Sequence, residues 1–280
     1  MTVHLPMKAI QIQASGGPHC LQLQDIPKPV PTEGEVLVRV HAAGVNPVDA
    51  KIRAGEFARF HPQFPAVLGR DVSGTIVEVG SAVSGFSVGQ AVFGMLDYDR
   101  GAYAQFAVAS PRELAHKPGA LSHVAAAALP VAGLTAWQAL FEFGKLRRGQ
   151  RVLIHGGSGG VGHFAVQFAA WSGAIVAATC SGADLDFVRE LGATTVIDYR
   201  AERFEEKIRD VDLVVDLVAG ETRHRSWQAL KPGGALVSTL PAPKPDRTDV
   251  SGREVVVDAD TGQLQAIANL GDRQTCRGGH

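Results

Sequence analysis

Short apolar or alternating runs, separated by Gly and Pro, occupy residues 1–120 of the chain. Runs of this length with turn residues between them predict a mostly β domain rather than a helical one. We interpret six of these runs as strands: Met7–Gln11, Leu21–Ile26, Glu35–Val40, Val72–Val79, Gln90–Gly94 and Ala102–Val108.

From about His123 the pattern changes. Val124–Ala139 is rich in Ala with little charge, which predicts one or two buried helices. Beyond it, β-branched runs alternate with helical segments, as in a parallel sheet that helices cover on both faces through right-handed crossovers. The predicted strands are Arg151–His155, Ala174–Cys180, Thr195–Tyr199, Val211–Val218, Ala235–Leu240 and Arg253–Val257. The predicted helices are Gly160–Trp171, Asp184–Leu191, Arg203–Arg209, Glu221–Leu230 and Thr261–Leu270.

These patterns predict an α/β protein of two domains. Residues 1–122 form a mostly β substrate domain, and residues 123–258 form a doubly wound parallel sheet that binds the cofactor. Residues 259–280 form an incomplete return segment to the first domain. Its end, Gly271–His280, is polar, rich in glycine and without period. We interpret this tail as a truncation or a change of reading frame.

A glycine-rich turn joins the first strand of the α/β region to its first helix. The pattern G-x-G-x-x-G is weak by itself, but here it follows an apolar strand, opens a helix and begins a βαβ unit. Glycines permit the tight turn and bring backbone N–H groups close to a pyrophosphate, which the helix N-terminus also attracts. The alternative is a turn that only packs, or one that holds FAD. The predicted cofactor-binding residues of the turn are Gly157, Ser158, Gly159, Gly160, Val161 and Gly162.

The end of the second strand predicts NADPH rather than NADH. NAD sites usually place an acid there for the ribose 2′-hydroxyl, whereas this strand ends in Thr-Cys-Ser-Gly, and we interpret the first acid, Asp184, as a helix-starting residue. Ser181 and Tyr199 are therefore expected to contact the 2′-phosphate. Val218 and Thr239 lie at the carboxyl ends of the fourth and fifth strands, where an open α/β sheet places its ligand, and are expected to line the nicotinamide pocket.

Composition excludes several classes of partner. The 280 residues are 45% apolar and 20% charged with a formal net charge of −1, which argues against nucleic acid or an anionic membrane as the main partner. No run has the length of a membrane helix, and the start lacks a signal-peptide pattern. The three cysteines are too scattered for a disulfide framework or a metal cluster. We expect a cytoplasmic protein.

The motifs together resemble a known family. They are Gly44-Val-Asn46-Pro-Val-Asp49, Leu68-Gly-Arg70-Asp71-Val-Ser-Gly74, the segments Leu129–Ala136 and Gly156–Gly162, and Leu191–Tyr199. On these motifs the chain resembles the medium-chain dehydrogenase/reductase superfamily, in its zinc-independent quinone oxidoreductase (zeta-crystallin-like) branch. The resemblance implies a GroES-like β domain followed by a Rossmann domain, with the active site in the cleft between them. It also implies a homodimer, for which Arg253–Val257 is a candidate edge strand.

The resemblance also bears on metal binding. Zinc-dependent members carry a Cys where this chain has Asn46, and a His-Glu pair where it has Arg70 and Asp71. A catalytic zinc needs three protein ligands, so no metal is predicted. Without a Lewis acid to polarise an alcohol, alcohol oxidation is not expected. Hydride transfer from a nicotinamide to a quinone or to the β-carbon of an enone is expected instead, since the cofactor supplies the difficult chemistry.

By resemblance, three residues are catalytic candidates. Asn46 lies beside the nicotinamide and donates to the substrate carbonyl, the alternative being a loop Asn that bonds its own backbone before Pro47. Asp49 is either catalytic or part of a structural ion pair. Thr135 resembles the threonine near the nicotinamide ribose and carboxamide, or else it packs in its helix. Tyr103 is a less favoured proton donor, because strand aromatics more often pack in cores.

The function predicted from the sequence is an NADPH-dependent, zinc-independent oxidoreductase acting on a quinone or an α,β-unsaturated carbonyl compound. The alternative is a non-catalytic NADPH-binding protein or a truncated, weakly active remnant. An enoyl-thioester reductase would need a basic patch for the carrier phosphate, and Arg53 with Arg59 is a thin basis for one.

Overall fold

The structure is a computed structural model that describes residues 6–241, 245 and 247–272. It contains two compact units that divide between Val131 and Ala132, with the segment Ala259–Asp272 belonging to the first unit. Of the predicted aberrant tail, Gly271–His280, the residues from 273 onward lie outside the described residues, and the first two end the last described helix. None of the helices in the described part of the chain has the length and apolar character needed to cross a membrane.

The first unit is built on two antiparallel sheets. In β1, Met7 and Ala9 are buried while Pro6 and Lys8 are exposed, the period-2 alternation of a half-buried strand. The smaller sheet has the order β2-β1-β4, and the larger one β7-β3-β5-β6-β8. The strands are β1 Pro6–Ile12, β2 Gln22–Pro27, β3 Val36–Gly44, β4 Ala66–Val67, β5 Asp71–Val79, β6 Ala91–Met95, β7 Phe106–Ala109 and β8 Leu114–His116.

Two short helices also belong to this unit. Helix α1 (Pro47–Ala54) begins with proline at its first position, where the missing N–H costs nothing. Helix α2 (His123–Ala127) packs on strands β3, β5 and β6. The boundary between the two units therefore lies after α2, whereas the sequence pattern changes at the start of α2, at about His123.

One predicted strand of the first unit was too long. The run Ala102–Val108 becomes a strand only from Phe106. The N–H groups of Ala102 and Tyr103 instead donate to the carbonyls of Gly69 and Leu68, and the Tyr103 carbonyl accepts from Ile10. These residues cross from one sheet to the other, so they cannot pair continuously with β3.

The second unit is a six-stranded parallel sheet of order β11-β10-β9-β12-β13-β14. Its central strand β9 carries Val152, Leu153 and Ile154, none of them exposed, because helices cover both faces. Numbered from β9, the order is the 3-2-1-4-5-6 of a dinucleotide-binding sheet. The strands are β9 Arg151–His155, β10 Ile175–Cys180, β11 Thr195–Asp198, β12 Val211–Asp216, β13 Leu230–Ser238 and β14 Ser251–Glu254. The helices are α3 Pro130–Trp137, which enters from the first unit, α4 Gly162–Trp171, α5 Leu185–Glu190, α6 Phe204–Lys207 and α7 Gly220–Ser226.

Two boundaries near the end of this sheet differ from the sequence prediction. Strand β14 begins at Ser251 rather than Arg253, because parallel pairing with β13 starts where Ser251 meets Ala235. Strand β13 begins at Leu230, five residues early, since Leu230 pairs with Val211 before a register shift. The predicted helix before it accordingly ends at Ser226.

The last described helix, α8 (Thr261–Asp272), belongs to the first unit. Its apolar side chains Leu264, Ile267 and Ala268 are buried. The Thr261 hydroxyl donates to the carbonyl of Pro111, just before β8. The segment that returns to the first unit therefore contains a helix whose apolar side chains are packed in that unit.

Candidate functional site

The predicted glycine turn runs from the end of β9 to the first residue of α4. Gly156 has φ of 75°, in the left-handed region that favours glycine. A Cβ on Gly162 would overlap the carbonyl oxygen of Gly156, and one on Gly157 would lie 2.9 Å from the Cβ of Ala178. A Cβ on Gly160 would meet nothing within 4 Å. Gly162 therefore packs on the turn itself and Gly157 packs on β10, whereas Gly160 faces open space in which a pyrophosphate could meet the helix N-terminus.

The backbone holds this turn against the neighbouring strand. The Gly157 N–H donates to the carbonyl of Thr179 at 2.8 Å, and the Gly159 N–H donates to that of Gly156 at 3.0 Å. Val161 is the residue before α4, whose positive dipole end therefore faces the turn.

Beside the turn, the end of β10 carries a carboxylate that the sequence analysis assigned to a helix start. The Asp184 Oδ2 atom accepts from the hydroxyls of Ser181 at 2.7 Å and Ser158 at 3.0 Å. These two hydrogen bonds, that from Ser181 first, hold the pKa of Asp184 below its usual value. Asp184 is the residue before α5, as the sequence analysis expected. The turn after β10 also brings its carboxylate onto both serines, so the hydroxyls at this strand end are not without a carboxylate.

The end of β11 lies next to this group. Tyr199 is 57% exposed, and its hydroxyl accepts from Arg200 Nε at 3.2 Å. The Arg200 guanidinium lies beside Asp184 and contributes to lowering its pKa. Residues from three segments thus meet here: Ser158 from the turn, Ser181 and Asp184 after β10, and Arg200 with Tyr199 after β11.

Val218 and Thr239 follow the carboxyl ends of β12 and β13. Val218 is 49% exposed, and its N–H donates to Asp216 Oδ1 at 3.1 Å. The buried Asp216 also accepts from Arg223 Nε at 2.6 Å and from the Ser238 hydroxyl at 3.0 Å. This network fixes both strand ends, and Val218 remains open to a ligand.

The third catalytic candidate, Thr135, lies in α3 and is 6% exposed. Its buried position is compatible with packing as well as with the role that the resemblance implied.

In the first unit, Asn46 is the residue before α1. Its backbone N–H donates to Asp49 Oδ2, and its side-chain Nδ2 donates to Asp71 Oδ2, each at 2.8 Å. Asp71 is the first residue of β5 and 2% exposed. The side chain of Asn46 is therefore tied to a residue 25 positions away.

Asp49 occupies the third position of α1, where its carboxylate completes a capping box. It also accepts from the Tyr103 hydroxyl at 2.8 Å, while its Oδ1 atom is buried without a hydrogen-bond partner. Burial raises the pKa of Asp49 and also raises that of Tyr103. The predicted catalytic Asp49 thus caps a helix, and Tyr103 is oriented by it.

Arg70 is buried near both carboxylates. Its guanidinium lies over the ring of Tyr98, 3.8 Å from the centroid, and its Nε donates to the carbonyl of Leu96. The charge of Arg70 lowers the pKa of Asp49 and of Asp71, against the larger effect of burial.

Among the described residues, no group of three or more His, Cys, Asp or Glu side chains is arranged to bind a metal ion. The positions of the zinc-dependent motifs hold a carboxamide at Asn46 and a guanidinium at Arg70, and both oxygens of the carboxylate at Asp71 already accept hydrogen bonds. A guanidinium stays protonated and has no lone pair to give a metal. These residues do not fit a catalytic zinc ion.

The sequence analysis missed the roles of Asp184, Arg200 and Asp71. Asp184 and Arg200 belong to separate segments, and no motif links them. Asp71 belongs to the motif Leu68–Gly74, but only the pairing of β3 with β5 brings it close to Asn46.

Comparisons with known proteins match both units. Residues 32–119 match the alcohol dehydrogenase GroES-like domain, and residues 160–246 match the zinc-binding dehydrogenase family. The first range contains strands β3 to β8 of the antiparallel sheets, and the second contains strands β10 to β13 of the parallel sheet, which confirms the predicted fold class.

Two relatives and one solved structure illustrate the similarity. "NAD(P)H oxidoreductase RTN4IP1, mitochondrial" of Danio rerio is 40% identical over 259 residues, 85% of this chain and 65% of that protein. Quinone oxidoreductase of Mus musculus is 36% identical over 241 residues, 82% of this chain and 72% of that protein. The quinone oxidoreductase structure from Coxiella burnetii has a TM-score of 0.88 at 34% identity, covering 98% of this chain and 90% of that one. The chain spans less than two thirds of the length of the mitochondrial relative.

Proposed function

The chain belongs to the medium-chain dehydrogenase/reductase superfamily, in its quinone oxidoreductase branch, and on this premise we propose that it is an NADPH-dependent reductase of a quinone or an α,β-unsaturated carbonyl compound that uses no catalytic metal. The observation that carries the proposal is the Asn46 amide, held by Asp71 where zinc-dependent relatives have a metal ligand. The names of the relatives, NAD(P)H oxidoreductase and quinone oxidoreductase, support the class of reaction.

The second unit supplies the residues that would hold the cofactor. The open space at Gly160 and the start of α4 suit the pyrophosphate. Val218 and Thr239, at the ends of neighbouring strands, suit the nicotinamide side of the sheet. When bound there, the cofactor supplies a hydride.

We favour NADPH because of the polar groups at the ends of β10 and β11. The hydroxyls of Ser158, Ser181 and Tyr199 can donate to a 2′-phosphate, and Arg200 lies beside them with a full positive charge. Asp184 opposes this preference because its carboxylate repels a phosphate and accepts from the two serines. We therefore expect the attraction between Arg200 and the 2′-phosphate to exceed the repulsion between Asp184 and that phosphate.

On the substrate side, Asn46 is expected to stabilise developing negative charge. A carboxamide nitrogen has two N–H groups, and Asp71 accepts from this nitrogen at a single position. The second N–H can donate to the carbonyl oxygen of a quinone or enone as electrons move onto that oxygen. A donor in place before the reaction stabilises charge without reorganisation.

The test is oxidation of NADPH by the purified chain with a small quinone and with a conjugated enone, together with fluorescence titrations of NADPH and NADH. We expect turnover with one of the two acceptors and tighter binding of NADPH. Binding of NADPH without turnover would make the chain a non-catalytic NADPH-binding protein. Equal affinity for the two cofactors would contradict the proposed specificity.

We also propose that the protein is a homodimer. Strand β14 lies at an edge of the parallel sheet in the described part of the chain, and an edge strand can pair with the same strand of a second copy. Sedimentation equilibrium should give twice the mass of 29.5 kDa. A cytoplasmic location stays a prediction, and the Danio rerio relative is named as mitochondrial.

A further inference from the structure

A single buried carboxylate connects Asn46 to the start of α3. Asp71 Oδ2 accepts from Asn46 Nδ2, and Asp71 Oδ1 accepts from the backbone N–H of Val131, both at 2.8 Å. Val131 is the second residue of α3, so this carboxylate also interacts favourably with a helix N-terminus. Both oxygens of Asp71 are therefore used, although the side chain is almost completely buried.

The strand before Asn46 makes room for this carboxylate. Gly44 pairs with Asp71 across β3 and β5. A Cβ on Gly44 would lie 2.8 Å from Asp71 Oδ2 and 2.6 Å from the carbonyl oxygen of Ala127. A side chain at this position would displace the carboxylate from Asn46. The presence of glycine at position 44 of the Gly44-Val-Asn46-Pro motif is thus explained by the space that the Asp71 carboxylate needs, and not by cofactor binding.

The backbone and the side chain of Asn46 are held by different acids. Asp49 accepts from the backbone N–H and fixes the start of α1, whereas Asp71 accepts from the amide. An ionised carboxylate only accepts hydrogen bonds, so it attracts the amide nitrogen and repels the amide oxygen. It therefore selects one of the two orientations of the carboxamide.

We propose that Asp71 is a positioning residue that holds the Asn46 carboxamide with its second N–H directed to the substrate oxygen. This inference rests on the proposed function, since it concerns the donor that the reduction uses. Asp71 itself does not contact substrate. Its contribution is to keep the donor in place before charge develops, and a misplacement of about 1 Å costs roughly 100-fold in rate.

The charges around Asp71 give the proposal a second readout. Asp49 on α1, Arg70 before β5 and Tyr103 are the ionisable groups near it. Burial raises the pKa of Asp71 to about 7, and Asp49 adds to this effect while Arg70 opposes it. A protonated Asp71 has an O–H donor beside its remaining acceptor oxygen, so it no longer selects the amide nitrogen of Asn46 over the amide oxygen. Loss of activity as the pH falls through about 7 is therefore expected.

The experiment compares Asp71→Asn with a matched control, Glu113→Gln, in the NADPH-dependent reduction. Glu113 is a carboxylate of the same unit, 1% exposed, that accepts from the backbone N–H groups of Asp97 and Ser110. We expect Asp71→Asn to lower kcat about 10- to 100-fold with KM for NADPH unchanged, and to remove the loss of kcat below neutral pH. Glu113→Gln should keep both the wild-type kcat and the pH profile. Equal effects of the two variants would overturn the proposal.

The variant Asn46→Ala separates this inference from the proposed function. If Asn46→Ala keeps the wild-type kcat, the proposed role of Asn46 is wrong, and the positioning role with it. If Asn46→Ala lowers kcat but Asp71→Asn does not, only the positioning role is wrong. In the Asn46→Ala background, Asp71→Asn should cause no further loss, because the two residues act as one unit. Should Asp71→Asn fail to fold, Asp71→Glu moves the carboxylate by one methylene and should lower kcat in the same way.

Discussion

The backbone of Gly162 packs so closely on the carbonyl of Gly156 that no side chain fits between them. This contact lets α4 start directly beyond β9 and brings the helix N-terminus to the strand end. The third glycine of the motif is therefore a packing residue, whereas Gly160 faces open space. The two positions should respond differently to the same substitution.

We predict that Gly162→Ala destabilises the protein and that Gly160→Ala does not. At Gly162 the added methyl must displace backbone, at a cost of about 1–3 kcal/mol or more in the free energy of unfolding. At Gly160 the methyl meets no protein atom but occupies the expected pyrophosphate space, so the Kd for NADPH should rise. Urea denaturation and NADPH titration measure the two effects. Equal stability losses would show that the turn is not packed as described.

We predict that replacing Ala219 with glycine stabilises the protein. It adopts φ of 60° and ψ of −156°, a region that is essentially restricted to glycine. We expect Ala219→Gly to raise the free energy of unfolding by about 1 kcal/mol, after the entropy cost of glycine. Asp210→Gly is the control, because Asp tolerates its φ of 56° better than Ala does. If the Ala219→Gly variant is less stable than the wild type, the backbone of Ala219 is not strained in the folded protein.

Asp184 should weaken the binding of NADPH. Asp184→Asn removes a negative charge beside the expected 2′-phosphate and replaces the charged acceptor of the Ser158 and Ser181 hydroxyls with a weaker, neutral one. We expect the Kd for NADPH to fall roughly three- to tenfold. Asp186→Asn makes the same charge change two residues away, where the acid pairs with Arg189. If both variants shift the Kd for NADPH equally, the effect comes from net charge and not from position.

His155 should make the protein less stable in mild acid. The ring is fully buried between the hydroxyls of Thr179 and Ser226, and burial lowers its pKa from 6.5 to about 4. Between these values the unfolded state binds the proton and the folded state does not. The free energy of unfolding should therefore fall as the pH drops through this window, by up to about 1.4 kcal/mol per pH unit.

The comparison with His155→Gln isolates this contribution. His163 and His123 also have lowered pKa values and act in the same direction. Asp71 has a raised pKa, so its effect on stability has the opposite sign. Urea denaturation at several pH values should give a weaker pH dependence for His155→Gln than for the wild type. Identical slopes would mean that the pKa of His155 is the same in the folded and the unfolded state.

The alternation of strands and helices in the second unit could be predicted because its signals are local. Continuous apolar runs such as Arg151–His155 need cover on both faces wherever they lie, and a glycine turn followed by a helix gives the same cradle in any sheet. The fold class and the position of the cofactor turn depend on such short-range signals. Boundaries such as the start of β14 depend on which residue of the next strand they meet, and no local pattern contains that information.

By itself, the sequence determined the fold class, the family resemblance, and Asn46 and the glycine turn as site candidates. Only the tertiary structure decided what each candidate contacts. Asn46 meets Asp71 because β3 and β5 pair in one register, and Asp184 meets Ser158 because two crossovers end at the same edge of the sheet. A hydrogen bond depends on distances of a few tenths of an ångström between segments far apart in sequence, and chain folding alone fixes those distances.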